Sequence, residues 1–573
     1  MTDTLKTDDL RLIEAEMLAR KIIVTQPNNP DALNGLGLIL MERADYASAE
    51  GYFSQALNRE PERRDFSSNL LRALSEAART AVEAGSLETA MDYLQKGLLI
   101  DPQRVETVCQ MAFALSSFDL HADALEMADK AVSMKSHHSH AHDVRGLALL
   151  GSDKINESVA AFRKALEIDS NFVSAHANLG TALLARGDHR DALKHLHRAL
   201  QLEPDNAMAC NNLGLVLADM AKFAEAEAAL RQAVATTPDF AEAHFNLSRV
   251  LLMQGKYLEG WQENEWRWKC RSFPSTRREF PYPTFGTEKA AGKTVLVWSE
   301  QGIGDEIMFA NPIPDLIAEG ASVIIECGER LVDVFGRSFP GATVVPRTDP
   351  PSPLIEQAGI DYQTPMGSLC VRYRTTKTAF ETSEGQYLHA DPARRADLAD
   401  RYRKLGPGPL VGICWRSGNS IAGGERSAPL DLWGPILTQV PCRFISLQYG
   451  EVAEDVSGVR ERLGVEVHVD GEVNPLENAQ DWFAQVGVMD MVISIDNSTI
   501  QVSGSQGVPT WALLNYLPEW RFGVTGSGHD WHPSLRVYRQ PAPGDWQAVF
   551  DGVGADFADW LRSSQEGGSG DIS

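Results

Sequence analysis

The sequence predicts an α-solenoid of stacked helical hairpins followed by an α/β region of two parallel-sheet lobes, and three observations predict it. Residues recur with a period of 34 through the first half: Gly146, Gly180 and Gly214 keep that step, as do Ala165, Ala199 and Ala233, and Leu179, Leu213 and Leu247. Beyond a Pro- and Arg-containing connector at Arg271–Lys289, the period vanishes and short β-branched runs alternate with helical patterns. At the head of that second half, Thr294–Gly320 reads TVLVWSEQGIGDEIMFANPIPDLIAEG, a strand joined to a helix through a glycine pair.

The repeats come first in the chain. The unit Pro30–Arg63 carries Leu36, Gly37, Ala49, Phe53, Ala56 and Pro61, positions at which it resembles the tetratricopeptide pattern. Successive units begin near Pro30, Leu71, Val105, Ser139, Val173 and Ala207, with a partial unit from Ala241, and the closing proline recurs as Pro102, Pro204 and Pro238. Arg64–Leu70 fits no unit and is expected to lengthen a helix or loop. One hairpin cannot bury its apolar face alone, so neighbours stack into a superhelix with a concave groove suited to a peptide or a partner helix. Asn178, Asn212 and Asn246 recur at the same step, a ladder of amides that could grip a peptide backbone or simply belong to the repeat. Histidines crowd Ser136–His142, where His138 and His142 stand one helical turn apart; an inter-repeat turn is the expectation, and no metal site. Tyr257, Trp261, Trp266 and Trp268 are expected to pack as a stiff joint to the next domain.

Strands are predicted at Thr294–Ser299, Ser322–Glu326, Thr343–Pro346, Leu410–Trp415, Arg443–Gln448 and Met491–Ile495. Strands alternating with helices argue for parallel sheets covered on both faces, hence two Rossmann-like lobes divided near Asp391–Pro409. The expected domains are a helical cap at 1–29, the solenoid at 30–270, a linker at 271–289, lobes at 290–400 and 401–562, and a flexible tail at 563–573. In the first lobe Gly302 and Gly304 would let a ligand approach the backbone where helix N–H groups are free. In the second, Arg416, Arg426 and Ser427 follow one strand, and Asp496, Asn497, Ser498 and Thr499 link another to a helix. Hydroxyls and unpaired N–H groups there suit a phosphate that an arginine could neutralise, although the same residues also make ordinary helix caps.

Composition narrows the partners. With 53 basic and 78 acidic residues the net charge is −25 and no long basic run occurs, which disfavours nucleic acid and anionic membrane. No apolar stretch approaches the length of a membrane span and the N-terminus MTDTLKTDDL is not a signal peptide, so a cytoplasmic location is expected. Seven cysteines without a C-x-x-C pair argue against a disulfide framework or a zinc site.

The strings EQGIGDEIMFA (Glu300–Ala310), RSAPLDLW (Arg426–Trp433), SIDNSTIQVSGSQGVPTWALL (Ser494–Leu514) and EWRF (Glu519–Phe522) resemble the heptosyltransferase-type glycosyltransferases of the GT-B fold. The whole chain resembles bacterial proteins in which tetratricopeptide repeats are fused to such a domain, including flagellin-modifying glycosyltransferases. The resemblance implies an enzyme that transfers a sugar, a nonulosonic acid among the candidates, from a nucleotide-sugar to a Ser or Thr hydroxyl of flagellin held by the repeats. It implies no metal and no cofactor beyond the nucleotide-sugar substrate. It puts the general base on Asp305, with Glu306 and Glu300 as the other carboxylates; helix-dipole complementation alone would also explain acids there. The family often has a histidine where Gln501 stands here. A glycan-directed transferase and a non-catalytic repeat scaffold are the alternative readings.

Overall fold

The computed structural model describes residues 2–271, 273–381, 385–418 and 423–567, so Asn419, at the end of the run from Leu410, lies outside them. The chain forms two compact units, Met1–Val216 and Leu217–Ser573.

In the first unit, the expected cap is a single helix, Thr2–Thr25. Helical hairpins follow: Pro30–Glu42 with Tyr46–Arg59, Arg64–Glu83 with Leu87–Ile100, Val105–Ser117 with His121–Met134, Ser139–Gly151 with Ile155–Ile168, and Val173–Ala185 with His189–Leu202. The seven residues that broke the period lengthen a helix. Arg64–Glu83 has 20 residues, whereas its counterparts Pro30–Glu42 and Val105–Ser117 have 13. Seven residues make about two helical turns, so the insertion returns the apolar stripe to the same face and stacking continues. The repeated glycine leaves room for a neighbour's ring: a Cβ on Gly146 would lie 2.5 Å from Phe162, and one on Gly37 would lie 2.6 Å from Phe53.

Two of the three ladder amides bond within the repeats. Asn178 Nδ2 donates to Asp143 Oδ1 of the preceding repeat at 3.0 Å, and at the equivalent positions Asn69 Nδ2 donates to Asn34 Oδ1 at 2.9 Å. Asn212 is buried and its Nδ2 donates to Thr181 Oγ1 at 2.8 Å. The peptide-gripping role assigned to Asn178 and Asn212 is therefore corrected, because these amides already satisfy neighbouring repeats. Asn246 sits half-buried on the helix Ala241–Met253, within the second unit. The histidines act likewise: His142 and His176 each direct Nε2 to a carbonyl six residues earlier, Ser136 O at 2.9 Å and Ser170 O at 3.1 Å. A ring nitrogen facing a carbonyl must donate, so each imidazole closes its inter-repeat turn.

The second unit opens with helical-repeat elements and continues into two all-parallel sheets. One has the order β3-β2-β1-β4, with β1 Thr294–Trp298, β2 Ser322–Cys327, β3 Ala342–Pro346 and β4 Tyr362–Pro365. The other has the order β10-β9-β8-β5-β6-β7, with β5 Leu410–Cys414, β6 Arg443–Ser446, β7 Val467–His468, β8 Met491–Ile495, β9 Thr510–Leu514 and β10 Leu535–Arg539. Six strands match the sequence reading. Strands β4, β7, β9 and β10 were not foreseen: β4 reads Tyr-Gln-Thr-Pro without an apolar run, and its Gln363 is held by Trp298 Nε1 at 2.6 Å.

The joint residues belong to the α/β core rather than to a boundary. Trp261, on the helix Tyr257–Asn264, is buried among Phe309, Trp520 and Trp531 and donates from Nε1 to Arg374 O at 2.8 Å. Buried Arg267 sends Nε and Nη2 to the two carboxylate oxygens of buried Glu300 at 2.8 and 2.9 Å. The compact unit thus begins at Leu217, well before the expected division at 270. The connector is no loose linker either: Arg278 pairs with buried Glu326, and Thr284 forms a bridge beside Gln363 of β4. The expected lobe division at 400 falls inside one intact helix, Pro392–Arg403, which is tied to the second sheet's segments by Arg394–Asp481 and Arg401–Asp470 ion pairs. Helix Trp546–Gly567 runs into the expected tail, whose residues 568–573 lie outside the described ones.

Candidate functional site

Each sheet has one place where strand order reverses, between β1 and β4 in the first and between β5 and β8 in the second. Loops leaving such neighbours run in opposite directions and open a crevice at the carboxyl ends of the strands. In the first sheet this crevice is bounded by Ser299–Gly302 after β1 and Met366–Leu369 after β4. Glu300 Oε1 accepts the Gly367 N–H at 2.8 Å while Arg267 holds both its oxygens. Glu300 is therefore a structural clamp, which removes it as an alternative base. In the second sheet, Asn497 Nδ2 spans the reversal, donating to Cys414 Sγ at 3.0 Å and Arg416 O at 3.3 Å.

The two crevices meet. Helix Ile303–Phe309 starts at the first and Ser498–Ser505 at the second, and a Cβ on Gly304 would stand 3.4 Å from Ser498 Cβ. The turn's special backbone falls on Gln301, with φ +63°, rather than on Gly302, with φ −95°. A non-glycine residue in the left-handed region costs energy that its surroundings must offset. Here the Gln301 N–H is held by Ser275 Oγ at 2.5 Å, from the connector.

Asp305 is partly exposed, with Oδ1 3.3 Å from Arg521 Nη2 and Oδ2 accepting the Gly302 N–H at 3.4 Å. Behind it lies a charged cluster. Arg426 Nε is 3.5 Å from Asp496 Oδ2, and Arg426 also pairs with Glu519. Burial raises the Asp496 pKa against the pull of Arg521 and Arg426. Burial works to raise that of Glu519 too, but Arg521, Arg249 and Arg426 outweigh it and hold this carboxyl below its ordinary value. Glu306, buried and accepting the Gly328 N–H at 2.8 Å, is pushed up to about 7 by loss of solvent.

Of the predicted second-sheet residues, Arg426, Asp496 and Ser498 come together here. Asn497 caps the helix through Thr499 N at 3.0 Å, and Thr499 is buried against Cys414 Sγ at 3.7 Å; both hold the turn's shape. Ser427 braces the neighbouring loop, accepting Ser417 N at 3.1 Å and donating to Gly423 O at 2.5 Å. The guanidinium of Arg416 turns away, to Asp455 at 3.1 Å and the Glu451 carbonyl, so its assignment as a phosphate neutraliser is corrected. Arg521 is the guanidinium that stands beside Asp305. It and Glu519 appeared in the sequence only inside the string EWRF; opposite charges two residues apart around a tryptophan were the available signal. His529 and His532 were missed altogether. His532 Nε2 donates to Gln501 Oε1 at 2.8 Å, so an imidazole from another segment stands beside Gln501, and burial lowers its pKa to about 3.

Family models of the tetratricopeptide repeat match residues 139–172 and 183–244. The chain thus carries tetratricopeptide repeats over these residues and, beyond them, two parallel sheets. It is similar to Protein FlbA of Caulobacter vibrioides, 31% identical over 318 residues, with 53% of this chain and 53% of that protein covered. The chain thus spans about half the length of that curated relative. Among solved structures, a thermophilic TPR protein of Thermus thermophilus aligns at 18% identity, covering 32% of this chain and 99% of that one with a TM-score of 0.30. A tetratricopeptide repeat protein from Parabacteroides merdae aligns at 14% identity, covering 43% and 94% with a TM-score of 0.36. No described helix is long and apolar enough to cross a membrane.

Proposed function

We propose that the protein is a glycosyltransferase of GT-B type that moves a sugar from a nucleotide-sugar to a Ser or Thr hydroxyl of a protein acceptor. One observation carries this reading: the carboxylate Asp305 at one strand-order reversal faces the guanidinium of Arg521 beside the other, 3.3 Å away. A hydroxyl is a poor nucleophile at neutral pH, and a carboxylate within hydrogen-bond reach removes its proton as it attacks the anomeric carbon. The departing phosphate oxygen gains negative charge, which Arg521, Arg426 and the N–H groups opening the helix at Ser498 can meet. These residues supply the chemistry without a metal. The repeats would hold the acceptor, and flagellin is the acceptor favoured by the resemblance of the whole chain to repeat-fused glycosyltransferases.

The test is intact-mass analysis of flagellin from cells producing the wild-type protein or Asp305→Asn. Loss of a sugar mass with Asp305→Asn at equal protein level is expected. Identical flagellin masses in both strains and in a deletion strain would overturn the flagellin assignment.

A further inference from the structure

Arg521 is contested by three acids of the second unit. Asp305, Asp496 and Glu519 all act to raise its pKa against the cost of burial. Arg426 answers two of those acids, Asp496 and Glu519, leaving Asp305 to Arg521. The guanidinium lies near the Trp520 ring, with Cζ 5.8 Å from its centroid, and the buried His529 and His532 stand close enough for its charge to lower their pKa values. Yet its coordination is incomplete: the buried Nε has no hydrogen-bond partner, and neither has Asp496 Oδ2. A buried guanidinium nitrogen left unpaired costs free energy that an incoming anion would recover. The bond to Asp305 is also long for a charge-assisted pair, at 3.3 Å against the usual ~2.8 Å.

We propose that Arg521 couples donor binding to release of the base: a phosphate group of the donor takes over the guanidinium, and the Asp305 carboxylate is thereby freed for the acceptor hydroxyl. This rests on the glycosyl-transfer reading above. Without donor, Oδ1 of Asp305 is engaged by the Arg521 guanidinium and is not presented to an acceptor hydroxyl. With donor, the phosphate accepts from Nε and Nη2, and Asp305 loses its counter-ion. The acceptor O–H proton then passes to Asp305, the acceptor oxygen bonds the anomeric carbon, and the carbon–oxygen bond to phosphate breaks with its electron pair staying on the phosphate oxygen beside Arg521. Arg521 thus serves as a positioning residue for Asp305 and as the phosphate's partner. Such an arrangement keeps the base idle until the donor is in place.

Calorimetric titration of the full chain with inorganic pyrophosphate, CMP, UDP, GDP and ADP tests the coupling. A competitor is removed in Asp305→Asn, so the probe that binds wild type should bind this variant about three- to tenfold more tightly. Loss of a charge-assisted bond in Arg521→Ala should weaken binding about ten- to hundredfold, and Arg521→Lys should recover part of it. In the double variant the gain from Asp305→Asn should vanish. Unchanged affinity in Asp305→Asn, with the probe still bound by wild type, would show that the pair is structural and overturn the coupling alone. Failure of every probe to bind wild type would sink the glycosyl-transfer reading and the coupling with it. Should circular dichroism show Arg521→Ala unfolded, the comparison of Asp305→Asn with wild type still decides.

Discussion

Two polar arrays in this protein handle their groups in opposite ways. In the first unit, the amides and imidazoles that recur with the repeat bond to the neighbouring repeat or to their own turn, as Asn178 does with Asp143 and His176 with Ser170. Around Asp496 in the second unit, five charged side chains share too few partners, and Asp496 Oδ2, Gln501 Nε2 and Arg521 Nε are buried without a hydrogen bond. A periodic polar group that is satisfied locally serves the scaffold. A cluster that remains unsatisfied after folding retains free energy for a ligand, which is why the second array, and not the asparagine ladder, marks the candidate site.

The largest test of this contrast concerns where the second unit starts. A fragment beginning at Ala207 should unfold cooperatively in denaturant, whereas one beginning at Arg271 should show no cooperative transition. The shorter fragment loses Trp261 from the core and Arg267 from Glu300. Cooperative unfolding of both fragments would restore the boundary expected from sequence. Within the full chain, Arg267→Ala should destabilise the second unit by about 3–5 kcal/mol, because Glu300 would stay buried without its counter-ion. Denaturant midpoints for that unit unchanged from wild type would contradict the clamp.

A pH effect separates the arrays next. Burial pushes the Asp143 carboxyl from 3.8 up to about 7, so the folded first unit binds this proton more tightly than the unfolded chain does. Its stability from this group is fully present below about pH 3.8 and declines as pH rises towards 7. Asp143→Asn would reproduce the neutral amide pair of Asn34 and Asn69, flatten that decline and stabilise the unit at pH 8 by up to about 4 kcal/mol. Thermal melts between pH 4 and 8 showing parallel pH dependence in variant and wild type would refute it. Smallest is Asn212→Ala, expected to cost about 1 kcal/mol through the lost bond to Thr181. Melting of the first unit checks it, and nucleotide titration should show no change, since this amide serves the scaffold.

By itself, the sequence determined the repeat, its step of 34 and the place where that step slips, because these features follow a local pattern of small and apolar residues at helical spacing, while the structure showed that the slip lengthens a helix. It also located six of the ten strands and both turns, Gly302–Asp305 and Asp496–Thr499, since β-branched runs and glycine or cap residues announce themselves within a few positions. Only the tertiary structure decided which charges meet. Asp305 and Arg521 are separated by 216 positions and Gln501 and His532 by 31, and no periodicity links either pair. Likewise Trp261 and Arg267 look like the end of a repeat in sequence and become core and counter-ion of the α/β unit only through packing. Local pattern sets helices, strands and turns through short-range sterics and hydrogen bonding. The partners of a buried charge are set by which distant segments the sheets bring together, and that is a property of the whole fold.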